Sequence, residues 1–139
     1  MLKIRPEQIA VFQPVAEAAF ISRVVEYLRQ ELAETIVQLP SGTTTLKELP
    51  LETLTAMVEH GITRARSYGL SWESSLATFV AFMFIVAPNF DSHPLIQRVL
   101  KDPEVAPEAR LEQLWQKTTE ENWQAAKHHY DPQAWNLNS

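Results

Sequence analysis

The sequence has no cysteine, only three glycines in 139 residues, and no block of like charge longer than a residue or two. Without thiols there is no disulfide framework, no thiolate zinc or iron–sulfur site and no cysteine nucleophile, and the composition suits a reducing compartment. Long hydrophobic runs are missing as well. The uncharged stretch Ser74–Asn89 falls short of the roughly 20 residues that span a bilayer, and Lys3 and Arg5 precede no apolar run of signal-peptide length. A cytoplasmic protein with no membrane insertion is therefore expected. Twelve Lys and Arg stand against seventeen Asp and Glu, a formal net charge of −5. No basic stripe is present, so nucleic acid is not an expected partner.

What is present is helical. Strict alternation is nearly absent, whereas apolar residues recur at three- and four-residue steps, which predicts an all-α compact bundle of about five helices. The length fits one domain, since domains commonly run to about 100–150 residues. A first helix starts after Arg5, with Pro6 and Glu7 in its opening turn and an interruption or kink expected at Pro14. Beyond it Ile21, Val24, Val25, Leu28, Leu32 and Ile36 share one face, opposite Arg23, Glu26, Arg29, Gln30 and Glu34. Pro40, Ser41, Gly42 and three threonines form the clearest loop, over residues 40–45, a mobile or strand-like excursion.

A second helix begins near Pro50 with Leu51, Leu54, Val58, Ile62 and Ala65 inward. Its interior Gly61 implies close approach by another helix or a bend, and Gly69 suits a left-handed C-terminal cap. Ser71 is the expected N-cap of the next helix. That helix, over residues 72–87, carries Leu76, Phe79, Val80, Phe82, Met83, Phe84, Ile85 and Val86 with no polar face, so it should be the buried centre of the bundle. Pro88 stops it, a short helix carries Leu95, Ile96, Val99 and Leu100, and Pro107 and Glu108 open a last helix with Leu111, Leu114 and Trp115 inward. Residues 1–127 read as one helical domain and 128–139 as an aromatic C-terminal tail.

No catalytic, cofactor or metal site emerges. His128 and His129 diverge by about 100° on a helix and cannot share an ion as an i, i+4 pair would. His60 beside Glu59 lacks the second histidine of a zincin helix. Asp91 and His93 flank a turn, where an aspartate is more often a cap than a catalyst. The Ser41–Gly42–Thr43–Thr44 run lacks the lysine and second glycine of a phosphate loop, and Glu120 and Glu121 face different directions. Phe79, Phe82 and Phe84 read as core. The candidate partner-binding residues are Trp123, Tyr130 and Trp135, large aromatics among polar neighbours, the residue types that make interface hot spots. The alternative is that the tail folds back onto the domain's own groove, since a chain end frays unless something ties it down.

Several short runs, taken together, resemble a family of small, largely uncharacterised all-helical bacterial proteins encoded beside type VI secretion spike-tip and effector genes. They are Arg23 with Leu28–Arg29, Gly61–Ile62 with Ala65 and Tyr68–Gly69–Leu70, Phe79 with Met83–Phe84, Phe90–Asp91, Leu100 with Asp102, and Arg110–Leu111 with Leu114. The similarity covers about residues 1 to 115. Ala87–Pro88–Asn89 departs from the glycine-containing approach to Phe90–Asp91 expected of the family, and the 41–45 loop is longer than usual. The resemblance implies an accessory protein that binds a secreted effector or spike-tip protein as adaptor or chaperone, or else an immunity protein that neutralises a cognate toxin. An adaptor would use an apolar groove, whereas an immunity protein would present charge to a catalytic cleft. An enzyme with an unrecognised pocket around Asp91, His93 or His60, and a self-associating protein joined through Trp123 or Trp135, are the remaining alternatives.

Overall fold

The computed structural model describes residues 6–137, with side chains from residue 17 onward; Lys3 and Arg5 lie outside this range. Six α-helices and one small antiparallel hairpin make up the described residues, a mostly all-α fold. Helix α1 spans Pro6–Glu31, followed by strands β1 (Ile36–Leu39) and β2 (Gly42–Thr45), then α2 (Leu51–Ser67), α3 (Glu73–Ile85), α4 (Pro94–Leu100), α5 (Pro107–Lys117) and α6 (Glu120–His128). Short 3-10 turns lie at Leu46–Glu48, Phe90–Ser92 and Pro132–Trp135.

Helix α1 passes through Pro14 without the expected interruption. The helix ends at Glu31, earlier than its apolar spacing suggests, so Ile36 leaves the inward face and stands 57% exposed in β1. The 40–45 loop is the turn and second strand of a hairpin, with Leu39 opposite Gly42 and Pro40–Ser41 as its two-residue connection. Val37 on the inner side is fully buried, so the hairpin contributes to the same core as the helices.

Helices α2 and α3 form the centre. Gly61 lets them meet: a Cβ there would lie 2.8 Å from Met83 Sδ and 2.9 Å from Val80 Cγ2, both on α3. The close approach is thus made by α3 side chains, and alanine at this position would have to push them away. At the end of α2, Gly69 adopts φ +91°, its N–H bonds to Arg66 O, and the Leu70 N–H bonds to Ala65 O, which is the Schellman arrangement. Leu51, expected inward, is instead 63% exposed at the first residue of α2. Helix α3 buries Phe79, Phe82 and Phe84 together with Leu76, Val80 and Met83, although Ile85 faces outward.

Ser71 does not cap α3. The Glu108 carboxylate of α5 instead anchors the segment that leads into α3, accepting hydrogen bonds from the N–H groups of Ser71 (2.7 Å) and Trp72 (3.1 Å) and from the hydroxyls of Ser71 and Ser75. An anion is favoured there because the start of a helix carries the positive end of the dipole. The last helical region also divides. Thr118 and Thr119 end α5 and start α6, where the Thr119 and Asn122 side chains each bond the other's backbone N–H.

Candidate binding surface

Three groups of residues outside the purely apolar core bear on function. The first is the C-terminal tail. Asn89, just after α3, pins it by donating from Nδ2 to His129 O (2.9 Å) and accepting from the Asp131 N–H (3.0 Å). Trp135 then enters the core, 1% exposed, with its ring 4.7 Å from that of Phe84. The Trp135 indole N–H donates to Tyr130 Oη (2.8 Å) and to Gln38 O (3.1 Å), and Tyr130 Oη accepts from the Gln38 N–H (3.1 Å). Gln38 is unpaired within the hairpin ladder because it and Thr43 form the non-hydrogen-bonded pair next to the turn pair Leu39–Gly42. The tail therefore satisfies backbone groups on the outer edge of β1 that would otherwise be left to water. Burial pushes the Tyr130 hydroxyl above its ordinary pKa, against the bonds to Gln38 and Trp135.

The tail thus folds back onto the protein, and Trp135 and Tyr130 are engaged internally. Trp123, half-buried, behaves differently. Its indole N–H donates to Thr118 Oγ1 (2.9 Å), while its ring lies 5.4 Å from Phe82 and 5.8 Å from Trp115.

The second group is a polar cluster around Asp91, which is nearly fully buried and accepts from Arg64 Nη2 and from the Tyr68 hydroxyl (2.7 Å). Arg64 also donates to Pro88 O, so this cluster fastens α2 to the turn after α3. Asp91 thus sits in the expected turn, Phe90–Ser92, and serves there as an ion-pair partner and not as a cap. Burial lowers the Arg64 pKa and raises that of Tyr68. His93 caps α4 by accepting the Leu95 N–H at Nδ1 (3.2 Å). His60, one turn before Arg64, is held below its usual pKa by burial and by the Arg64 charge, against the Ala134 carbonyl. His128 and His129 stand exposed at the end of α6, their rings edge to face. Among the described residues no group of three or more His, Asp or Glu is placed to hold a metal ion.

The third group is a surface that sequence reasoning missed. Trp115, expected inward, is 62% exposed, and so is Trp72 at the start of α3. Residues 108, 112 and 115 fall on one face of α5, and the Trp72–Ser75–Phe79–Phe82 stripe of α3 faces it. The contacts bear this out, since Ser75 bonds Glu108 and the Phe82 ring meets Trp115 edge-on at 5.6 Å. Along this seam a cleft of about 530 Å³ is lined by Ser71, Trp72, Pro107, Glu108, Ala109 and Glu112. Burial opposes the charge on Glu108, but the bonds from Ser75, Ser71 and Trp72 outweigh it and hold the carboxyl below its ordinary pKa. A sequence signal for Trp72 existed in its position at the helix start, outside the apolar stripe. For Trp115 the signal misled, because it adjoins Leu111 and Leu114 on the helical wheel.

No family model, curated protein or solved structure matches this chain. Among the described residues, no helix is long and apolar enough to cross a membrane.

Proposed function

We propose that this is a non-catalytic accessory protein that binds another protein, an adaptor or chaperone for a type VI secretion effector or spike component. The observation that carries the protein-binding reading is the pair of exposed tryptophans on the rims of the α3–α5 seam, Trp72 and Trp115. Large aromatics on rigid helices present contact area at little entropic cost, and tryptophan is the residue type most enriched among interface hot spots. The resemblance to proteins encoded beside secretion genes supplies the class of partner. Trp123 remains in the proposed surface as the half-buried support of Trp115. Tyr130 and Trp135 are engaged with Gln38 and Phe84 and are not part of the proposed surface.

A second reading, an immunity protein that neutralises a cognate toxin in the cytoplasm, draws on the carboxylates beside the same tryptophans, because such proteins meet charged catalytic clefts electrostatically. The test is an affinity pull-down of the tagged protein from its own cells, beside a Trp72→Ala/Trp115→Ala variant. Recovery of an effector or spike-tip protein by the wild type and its loss from the variant is the expected result. Equal recovery by both removes this surface from the proposal. Co-expression with the recovered protein then separates the readings, since only an immunity protein relieves toxicity.

A further inference from the structure

We infer that the face bearing Trp72, Glu112 and Trp115 docks a basic, amphipathic segment of the partner protein. The inference rests on the protein-binding reading above and adds the partner's chemistry.

Two features of the face set that chemistry. The first is apolar: Trp72, 62% exposed, lines the cleft, and Trp115, also 62% exposed, stands one turn beyond Glu112 on α5. The second is the sign of the surrounding charge. Two carboxylates, Glu108 and Glu112, line the cleft, and no lysine or arginine lines it. Arg110 does not offset them at the surface, because its guanidinium is turned inward to the carbonyl oxygens of Tyr68, Leu100 and Val105. The ion pairs among the described residues, Arg23–Glu73, Lys47–Glu34, Arg64–Asp91 and Arg66–Glu17, involve none of the carboxylates on this face. Glu112 lines the cleft opposite Trp72, and Glu108 at its floor keeps its negative charge through its bonds from Ser75, Ser71 and Trp72.

A lysine or arginine side chain entering here meets a carboxylate and the face of an indole together, and both favour a cation more as the partner excludes water. Apolar residues beside it would cover the tryptophans. Acidic peptides, nucleic acid and anionic membrane surfaces are repelled by the same carboxylates. A second copy docking face to face would bring like charges together.

The test uses a labelled synthetic amphipathic helix of leucine and lysine, with a leucine–glutamate helix of the same pattern as control. Binding to the full chain is followed by fluorescence anisotropy and by the four tryptophan indole N–H signals in NMR. The lysine peptide should bind, more weakly at high salt, and should move the Trp72 and Trp115 signals while leaving that of Trp135 in place. Glu112→Lys, and separately Trp72→Ala, should each weaken binding about fivefold or more. Both positions are exposed, and circular dichroism checks that the variants keep their helices. Equal binding of the glutamate peptide, unchanged binding by Glu112→Lys, or shifts confined to other tryptophans would each overturn the inference. If the pull-down recovers a partner through Trp72 and Trp115 but the lysine peptide does not bind, the basic chemistry falls and the protein-binding reading stands. If the peptide binds while no effector or spike protein is recovered, the docking chemistry stands and the proposed role falls.

Discussion

Glu108 belongs to α5, yet its carboxylate fastens the chain where it enters α3, thirty-odd residues earlier in the sequence. Local reading expected Ser71, a favoured capping residue type, to start α3 and could not see a carboxylate arriving from another helix. The same limit governs Asp91. Its setting in a turn was legible, but Arg64 and Tyr68 reach it from α2 across a large sequence separation. A residue-scale prediction follows from Glu108. Glu108→Ala should destabilise the protein by about 1–2 kcal/mol, the scale of hydrogen bonds lost from a charged acceptor, measured by urea unfolding at neutral pH. The acid side tests the charge itself. Because the folded carboxyl lies below its ordinary value of 4.5, its contribution is fully present above that pH and is lost as the pH falls through the folded pKa. Glu108→Gln, which removes the titrating group, should therefore show a shallower loss of stability below about pH 4.5 than the wild type.

Elements bounded by strong local punctuation were legible from the sequence. Pro50, Gly69 and Pro88 mark the limits of α2 and α3 closely, and the continuous apolar run of α3 identified the central helix. Elements held by distant partners were less so. The hairpin has only four residues per strand, too few for alternation to stand out, and its inner edge is recognisable only through Val37 and the buried Leu46. The tail leaves two readings open, contact with a partner or folding back onto the domain, because its own sequence has few aliphatic residues. Its packing partners, Gln38, Phe84 and Asn89, lie about 40 to 100 positions away. Trp135→Ala should cost about 3–5 kcal/mol, the range for truncating a buried aromatic, whereas Trp135→Phe should lose mainly the indole hydrogen bonds, about 1–2 kcal/mol. Urea unfolding midpoints measure both, and a Trp135→Ala variant as stable as the wild type would show that the tail is not part of the core.

Across the whole molecule the four tryptophans divide by environment. Trp135 is interior, Trp123 is half-buried against Phe82, and Trp72 and Trp115 are exposed at different points along the α3–α5 seam, Trp72 beside Glu108 and Trp115 beside Phe82. The chemical type of the surface residues was visible in the sequence, since tryptophan among polar neighbours marked candidate contacts. Which tryptophans face outward was not, because that depends on how α5 rotates against α3. The most direct measurement of the central claim is hydrogen exchange by mass spectrometry on the protein alone and with the partner recovered by pull-down. Added protection should appear in residues 71–78 and 107–117, with the hairpin and tail unchanged. Protection confined to the hairpin and the tail, with none along the α3–α5 seam, would contradict the account.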